Sequence, residues 1–246
     1  MVELVFGNMT TMDFVMAGLT GILSFAVLAI AFNMALKGTP KWQTRKIVHV
    51  SLGTFIALTV PAYSNLSGPT LAGGIFLTVL IYAWAHKSNL ISELLVSGSR
   101  EGESGINTFA SAFMGMIAFI SVFILFMPEP SIFVASILAV SWGDAAGEAV
   151  GRPLGGKYVK RKLGQKSVEG SIAVLVFTGI AVLTALVVYS SIGCPLCIIP
   201  QILLIGAVIS IVEILSIGWF DNFAIPFATA LLMWILLFPG LVIFGM

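Results

Sequence analysis

Apolar runs separated by short polar breaks recur along the chain from residue 13 to residue 245. Crossing the hydrocarbon core of a bilayer takes about 20 apolar residues per helix. Set against the polar breaks, the runs predict helices over 13–36, 47–63, 69–86, 107–127, 131–150, 168–191, 198–218 and 222–245. The second is short, and the fifth and seventh contain acids. The pattern predicts an all-α protein, a polytopic transmembrane helical bundle of about eight spans, and one transmembrane domain over 1–246.

Composition agrees. The chain is 59% hydrophobic and 9% charged, whereas a soluble domain has roughly a quarter of its residues charged. Little of the chain is left over for a separate soluble domain. The position of the charge says more than its net value of +1. Lys37, Lys41, Arg45 and Lys46 fall between the first two predicted helices. Lys87 and Arg100 fall between the third and fourth. Arg152, Lys157, Lys160, Arg161, Lys162 and Lys166 fall between the fifth and sixth. These are all 12 Lys and Arg of the chain, and they share one side of the predicted topology. The positive-inside rule makes that side cytoplasmic and both termini external. The cytoplasmic loops are then about 37–46, 87–106 and 151–167. Glu3, Asp13 and Glu129 belong to the opposite side.

Acids stand where they cost free energy. Asp144, Glu148, Glu169 and Glu213 lie in or at the ends of apolar helices, where an ionised carboxylate costs at least about 2.5 kcal/mol near the helix centre. At 1.5 Å per residue, Asp144 lies roughly 20 Å from the external start of its helix, and Glu213 is similarly deep. Glu169 opens the sixth helix and Asp221 the eighth. All four depths lie toward the side that carries the basic loops. Asp144 and Glu148 are four residues apart and share a helix face. Hard oxygen ligands on one face suit magnesium, which bridges one or two carboxylates and substrate phosphates; pairing with nearby lysines is the structural alternative. The small residues Gly143, Ala145, Ala146 and Gly147 leave room for a ligand or allow close helix packing.

The loop after the fifth helix reads Gly151-Arg152-Pro153-Leu154-Gly155-Gly156-Lys157-Tyr158. It fits the start of a phosphate-binding loop but lacks the Ser or Thr after the lysine, and a membrane helix precedes it in place of a strand, so a true P-loop is excluded. Gly155, Gly156 and Lys157 still offer backbone N–H groups and charge to phosphates; a basic loop lying on anionic lipid is the plainer reading. Ser167 is placed to cap the sixth helix, with Lys166 beside an anion-attracting N-terminus. Asp221 or Asn222 is placed to cap the eighth, and Pro226 leaves the Asn222 carbonyl without its helical donor. His49, four residues after Arg45, is a phosphate ligand, a base or an interfacial residue. His86 and Lys87 read as interfacial anchors, and Arg100-Glu101-Gly102-Glu103 as a charged loop element. Cys194 and Cys197, the only cysteines, read as small residues of an external turn rather than a redox or metal pair.

The chain resembles the integral-membrane polyprenol kinases: dolichol kinase, phytol kinase and the CTP-dependent diacylglycerol kinase. The resemblance spans 45 to about 232. It is carried by Arg-Lys-x-x-His at 45–49 with Gly53, by the Gly-Asp-x-x-Ala…Gly-Arg…Gly-x-Lys run from Gly143 to Lys157, by Lys-Ser-x-Glu-Gly at 166–170, and by Asp-Asn-x-x-x-Pro at 221–226. The central run with 166–170 is its specific part. The central pattern is also similar to that of the phosphatidate cytidylyltransferases, where Lys-Thr-x-Glu-Gly stands in place of Lys-Ser-x-Glu-Gly.

The resemblance implies a lipid-alcohol kinase of the cell membrane that transfers the γ-phosphoryl group of CTP to the hydroxyl of a dolichol-, phytol- or geranylgeraniol-class lipid at the cytoplasmic face. Its partners are then the lipid alcohol, a nucleoside triphosphate and membrane lipids, with no nucleic acid. Carried onto this sequence, Asp144, Glu148, Glu169 and Asp221 are implied to hold Mg2+. Lys157, Lys166, Ser167, Glu169, Asn222, Gly155, Gly156, Arg45 and His49 are implied to meet the nucleotide. Asp144, Asp221 and Lys166 are implied to serve catalysis. A CDP-lipid synthase and a lipid or metal transporter are the competing expectations. A carrier would place its buried acids near the bilayer midplane, commonly with repeat symmetry.

Overall fold

In a computed structural model of the chain the described residues are 6–86, 105–126, 128–154, 158–161, 164–189, 191–216 and 218–243. They are largely helical. Five helical stretches are long and apolar enough to cross a membrane: Thr11–Leu36, Phe109–Phe126, Pro130–Leu154, Val168–Val188 and Leu196–Leu215. Such stretches mark a membrane protein. Ser67–Val79 and Asp221–Leu237 are shorter apolar helical stretches. The chain forms two compact units, 1–116 and 117–246, and each is described by itself.

The first unit holds α1 (Thr11–Leu36), α2 (Lys41–Thr59) and α3 (Ser67–Ala85), with α1 packed on α2 and α3. Helix α4 (Gly105–Phe126) runs from this unit into the second. Thr10 caps α1 in a reciprocal box with Asp13. The α1 C-terminus closes on Gly38, whose φ of +82° a side chain would strain, with Gly38 N–H donating to Ala35 and Thr39 N–H to Met34. Helix α2 begins six residues before the expected 47. Pro40 pre-sets the first turn, so Arg45, Lys46 and His49 lie within the helix rather than at its mouth. The expected anchor His86 ends α3 and stacks on Tyr82 with ring centroids 4.3 Å apart.

The second unit continues with α5 (Pro130–Leu138), a π turn (Ala139–Gly143) and α6 (Asp144–Leu154) in one uninterrupted run. Then follow an antiparallel hairpin of β1 (Tyr158–Arg161) and β2 (Gly164–Ser167), α7 (Val168–Val188), α8 (Ile199–Leu215) and α9 (Asp221–Leu237). The hairpin is a local addition to a largely helical unit and lies within the connection expected at 151–167. Its register pairs Tyr158 with Ser167 and Val159 with Lys166, and a β-branched and an aromatic residue opening β1 suit a strand. Helix α5 is buried along its whole length, and α5, α6 and α8 all pack on α7. The cysteines differ from expectation: Cys194 and Cys197 form a disulfide across the turn that leads into α8.

Candidate functional site

Four elements of the second unit bring charge to one place. Lys166, the penultimate residue of β2, donates from Nζ to Oε1 of Glu213 in the last turn of α8. Asp144, first residue of α6, and Asp221, first residue of α9, lie close enough for their charges to act on Glu213. All three acids are buried, at 5%, 5% and 4% exposure for Asp144, Asp221 and Glu213. The Lys166 side chain is 38% exposed.

Local structure explains how these residues reach one another. The π turn stands immediately before Asp144, and such turns recur at functional sites because they re-aim the residues that follow. Gly143, Gly147 and Gly151 form a stripe with four-residue spacing. An added Cβ on them would lie 2.8 Å from Thr178 Oγ1, 2.6 Å from Val174 Cγ2 and 2.7 Å from Ser167 Oγ respectively. The glycines therefore serve close packing of the run against α7 and do not leave ligand space on that face. Asp144 and Glu148 each follow a stripe glycine, which turns them about 100° away from it.

Ser167 caps α7 as expected, its Oγ accepting from Gly170 N–H at 3.0 Å. The cap of α9 does not follow expectation. Phe220 holds that position in helical geometry without a side-chain bond, and Asp221 sits in the first turn, where its charge suits the helix dipole. Glu148 is held by Arg152, one turn on, at 2.9 Å. Glu169 is half-buried in the first turn of α7, and its Oε2 has no hydrogen-bond partner among the described residues. Lys166 is thus bonded to Glu213 on the neighbouring helix, a residue the motif had left aside. Asn222 is half-buried beside Asp221. Gly155, Gly156, Lys157 and the Arg100–Glu103 element lie outside the described residues. Arg45 and His49 belong to the first unit, half-buried one helical turn apart on α2, with Lys46 buried between them.

No protein-family model, no curated protein and no solved structure matches this chain. What the cluster can do therefore rests on its chemistry. Among the described residues, no three His, Cys, Asp or Glu side chains group to hold a metal ion. Magnesium asks for less, taking one or two protein carboxylates and completing its shell with phosphates and water. Asp144 and Asp221 are donors of that kind.

Proposed function

We propose that the protein is a lipid-alcohol kinase that uses Mg2+ and CTP to phosphorylate a polyprenol-class alcohol. The observation that carries this reading is the ion pair of Lys166 with the buried Glu213, with the buried Asp144 and Asp221 near enough for their charges to act on it, inside an apolar helical unit. Burying acids among membrane helices is costly and usually accompanies function. Phosphoryl transfer asks mainly for positioning and neutralisation of phosphate charge. Asp144 and Asp221 would hold the magnesium, which when bound neutralises phosphate charge. Glu148 and Glu169 are the further acids that the family resemblance adds to them.

Lys166 and the α7 N-terminus would meet the triphosphate, since a helix start attracts anions and Lys166 adds a full charge. Ser167 keeps that helix start in place through its cap. The resemblance adds Gly155, Gly156, Lys157 and Asn222 to the nucleotide site. Asp144 or Asp221 takes the proton of the lipid hydroxyl. The lipid-facing helices leave the tail free to approach sideways from the bilayer.

The placement of the acids favours an enzyme over a carrier. Glu213 is in the last turn of its helix and Asp221 at the start of the next, whereas carrier sites lie near the midplane on broken helices. We read the protein as having eight spans in the cell membrane, with both termini external and the site cytoplasmic. The disulfide supports that orientation. It lies at the end of α8 opposite Glu213, in a loop without Lys or Arg, and disulfides persist on the oxidising side.

The test uses purified protein with magnesium, prenols and diacylglycerol, with lipid phosphates added in a second arm, and CTP labelled in either the γ-phosphate or the cytosine ring, with γ-labelled ATP alongside. Only γ-label entering the lipid is the expected result. Cytosine label entering a lipid phosphate would make the protein a CDP-lipid synthase. No transfer from CTP or ATP would leave the carrier.

A further inference from the structure

We infer that Glu213 is a positioning residue that aims Lys166 at the nucleotide triphosphate; the inference rests on the nucleotide-binding reading above. Glu213 lies on the buried face of α8 with Ile202, Ile205, Gly206, Ile209 and Ser210, whose hydroxyl donates to the Ser171 carbonyl, so its carboxylate is held by the helix and sealed from solvent. Lys166 differs. It extends from a two-stranded hairpin, and its side chain is 38% exposed against 4% for its partner. The pair is therefore asymmetric: one charge is anchored and inaccessible, the other tethered to it yet within reach of a ligand.

An ammonium has three donors. One goes to Glu213 Oε1, and among the described residues no other acceptor is bonded to Lys166, so two are left for ligand oxygens. Ser167, the next residue in the chain, starts α7, and the Asp144 and Asp221 charges act on the same Glu213 that holds the lysine. A lysine on a flexible stem loses side-chain freedom on ordering; a partner that orders it beforehand lowers the cost of binding an anion. A purely structural ion pair would tie β2 to α8 and leave nucleotide affinity alone.

The experiment measures CTP kinetics, and equilibrium binding of labelled CTP with magnesium, on the whole protein in detergent. The set is wild type, Glu213→Gln, Glu213→Asp, Lys166→Gln and the double variant Lys166→Gln/Glu213→Gln. Loss of a charge-assisted hydrogen bond predicts that Glu213→Gln raises the CTP KM on the order of tenfold, with kcat changed much less. Glu213→Asp keeps the charge but shortens the reach, so KM rises in the same direction. This variant carries the test should the glutamine variant fail to fold. In the Lys166→Gln background, Glu213→Gln should weaken CTP binding no further, because the residue acts through the lysine. Unchanged KM in a folded, active Glu213 variant overturns the positioning role and leaves the kinase standing, as does additivity in the double variant. Wild-type protein that neither binds nor consumes CTP or ATP overturns both.

Discussion

A Cβ added to Gly151 would lie 2.7 Å from the Ser167 hydroxyl, so the last turn of α6 meets the cap of α7 with no side chain between them. That hydroxyl is already engaged with Gly170 N–H, and Gly170 is itself tight against α6, its own added Cβ falling 2.6 Å from the Gly147 carbonyl oxygen. Neither side has room to give.

Gly151→Ala should therefore cost about 1–3 kcal/mol, the usual penalty of overpacking. It should also disturb CTP binding, because Ser167 adjoins Lys166. Thermal unfolding in detergent and the CTP KM check the two parts. An alanine variant with wild-type stability would mean that the two helices stand further apart than described.

Asp144→Ala should abolish magnesium-dependent transfer while the protein still elutes as a single folded species. The residue is buried, and its charge acts on Glu213. A retained magnesium-dependent rate removes Asp144 from the site. Asp144→Asn should also be inactive, since an amide keeps the shape but not the charge a cation needs.

Asp13 predicts a stability effect at the start of α1. It is 1% exposed, and it accepts from Thr10 N–H at 2.7 Å, from Ser64 N–H at 2.7 Å and from the Ser64 hydroxyl. Asp13→Ala leaves those donors without their acceptor and should destabilise the first unit by about 3 kcal/mol. Hydrogen exchange should show the change at 10–13 and 62–65 first. Uniform exchange along the chain would speak against a local clamp.

Reducing the Cys194–Cys197 bond should cost at most about 2 kcal/mol, because it closes a very short loop. Turnover should be unaffected. The disulfide precedes α8 and Glu213 is near the end of that 17-residue helix, roughly 25 Å away. In intact cells the reduced thiols should react with a membrane-impermeant maleimide. Labelling only after the membrane is opened would reverse the proposed topology.

The helices were readable because apolar periodicity and length are local properties. Observed ends at α3, α4 and α7 fall within a few residues of the expected ones. The earlier start of α2 was hidden because Lys41, Arg45 and Lys46 look like a loop, yet they decorate a helix that Pro40 begins. The π turn has no sequence mark, since Ala139-Val140-Ser141-Trp142-Gly143 would sit equally well in an α-helix. Within the site, the Ser167 cap was legible from residue type and position. The bond from Lys166 to Glu213 was not, because it joins residues 47 apart and β2, packed on α6 and α7, reaches α8 through this side chain. Glu169, three residues from Lys166 at the start of α7, was nearer in sequence, yet its Oε2 has no hydrogen-bond partner among the described residues.

The π turn also works as a phase shifter. A run of α-helix from Pro130 to Leu154 would keep a single azimuth, each residue following the last by about 100°. The wider turn at Ala139–Gly143 resets that angle once, so the wholly buried half of the run and the half bearing the glycine stripe and Asp144 obey different rotational origins. Removing one residue between 139 and 143 would restore the uniform winding. The carboxylate of Asp144 would then be turned by about 100° from its present bearing while every residue of the cluster remained in the chain.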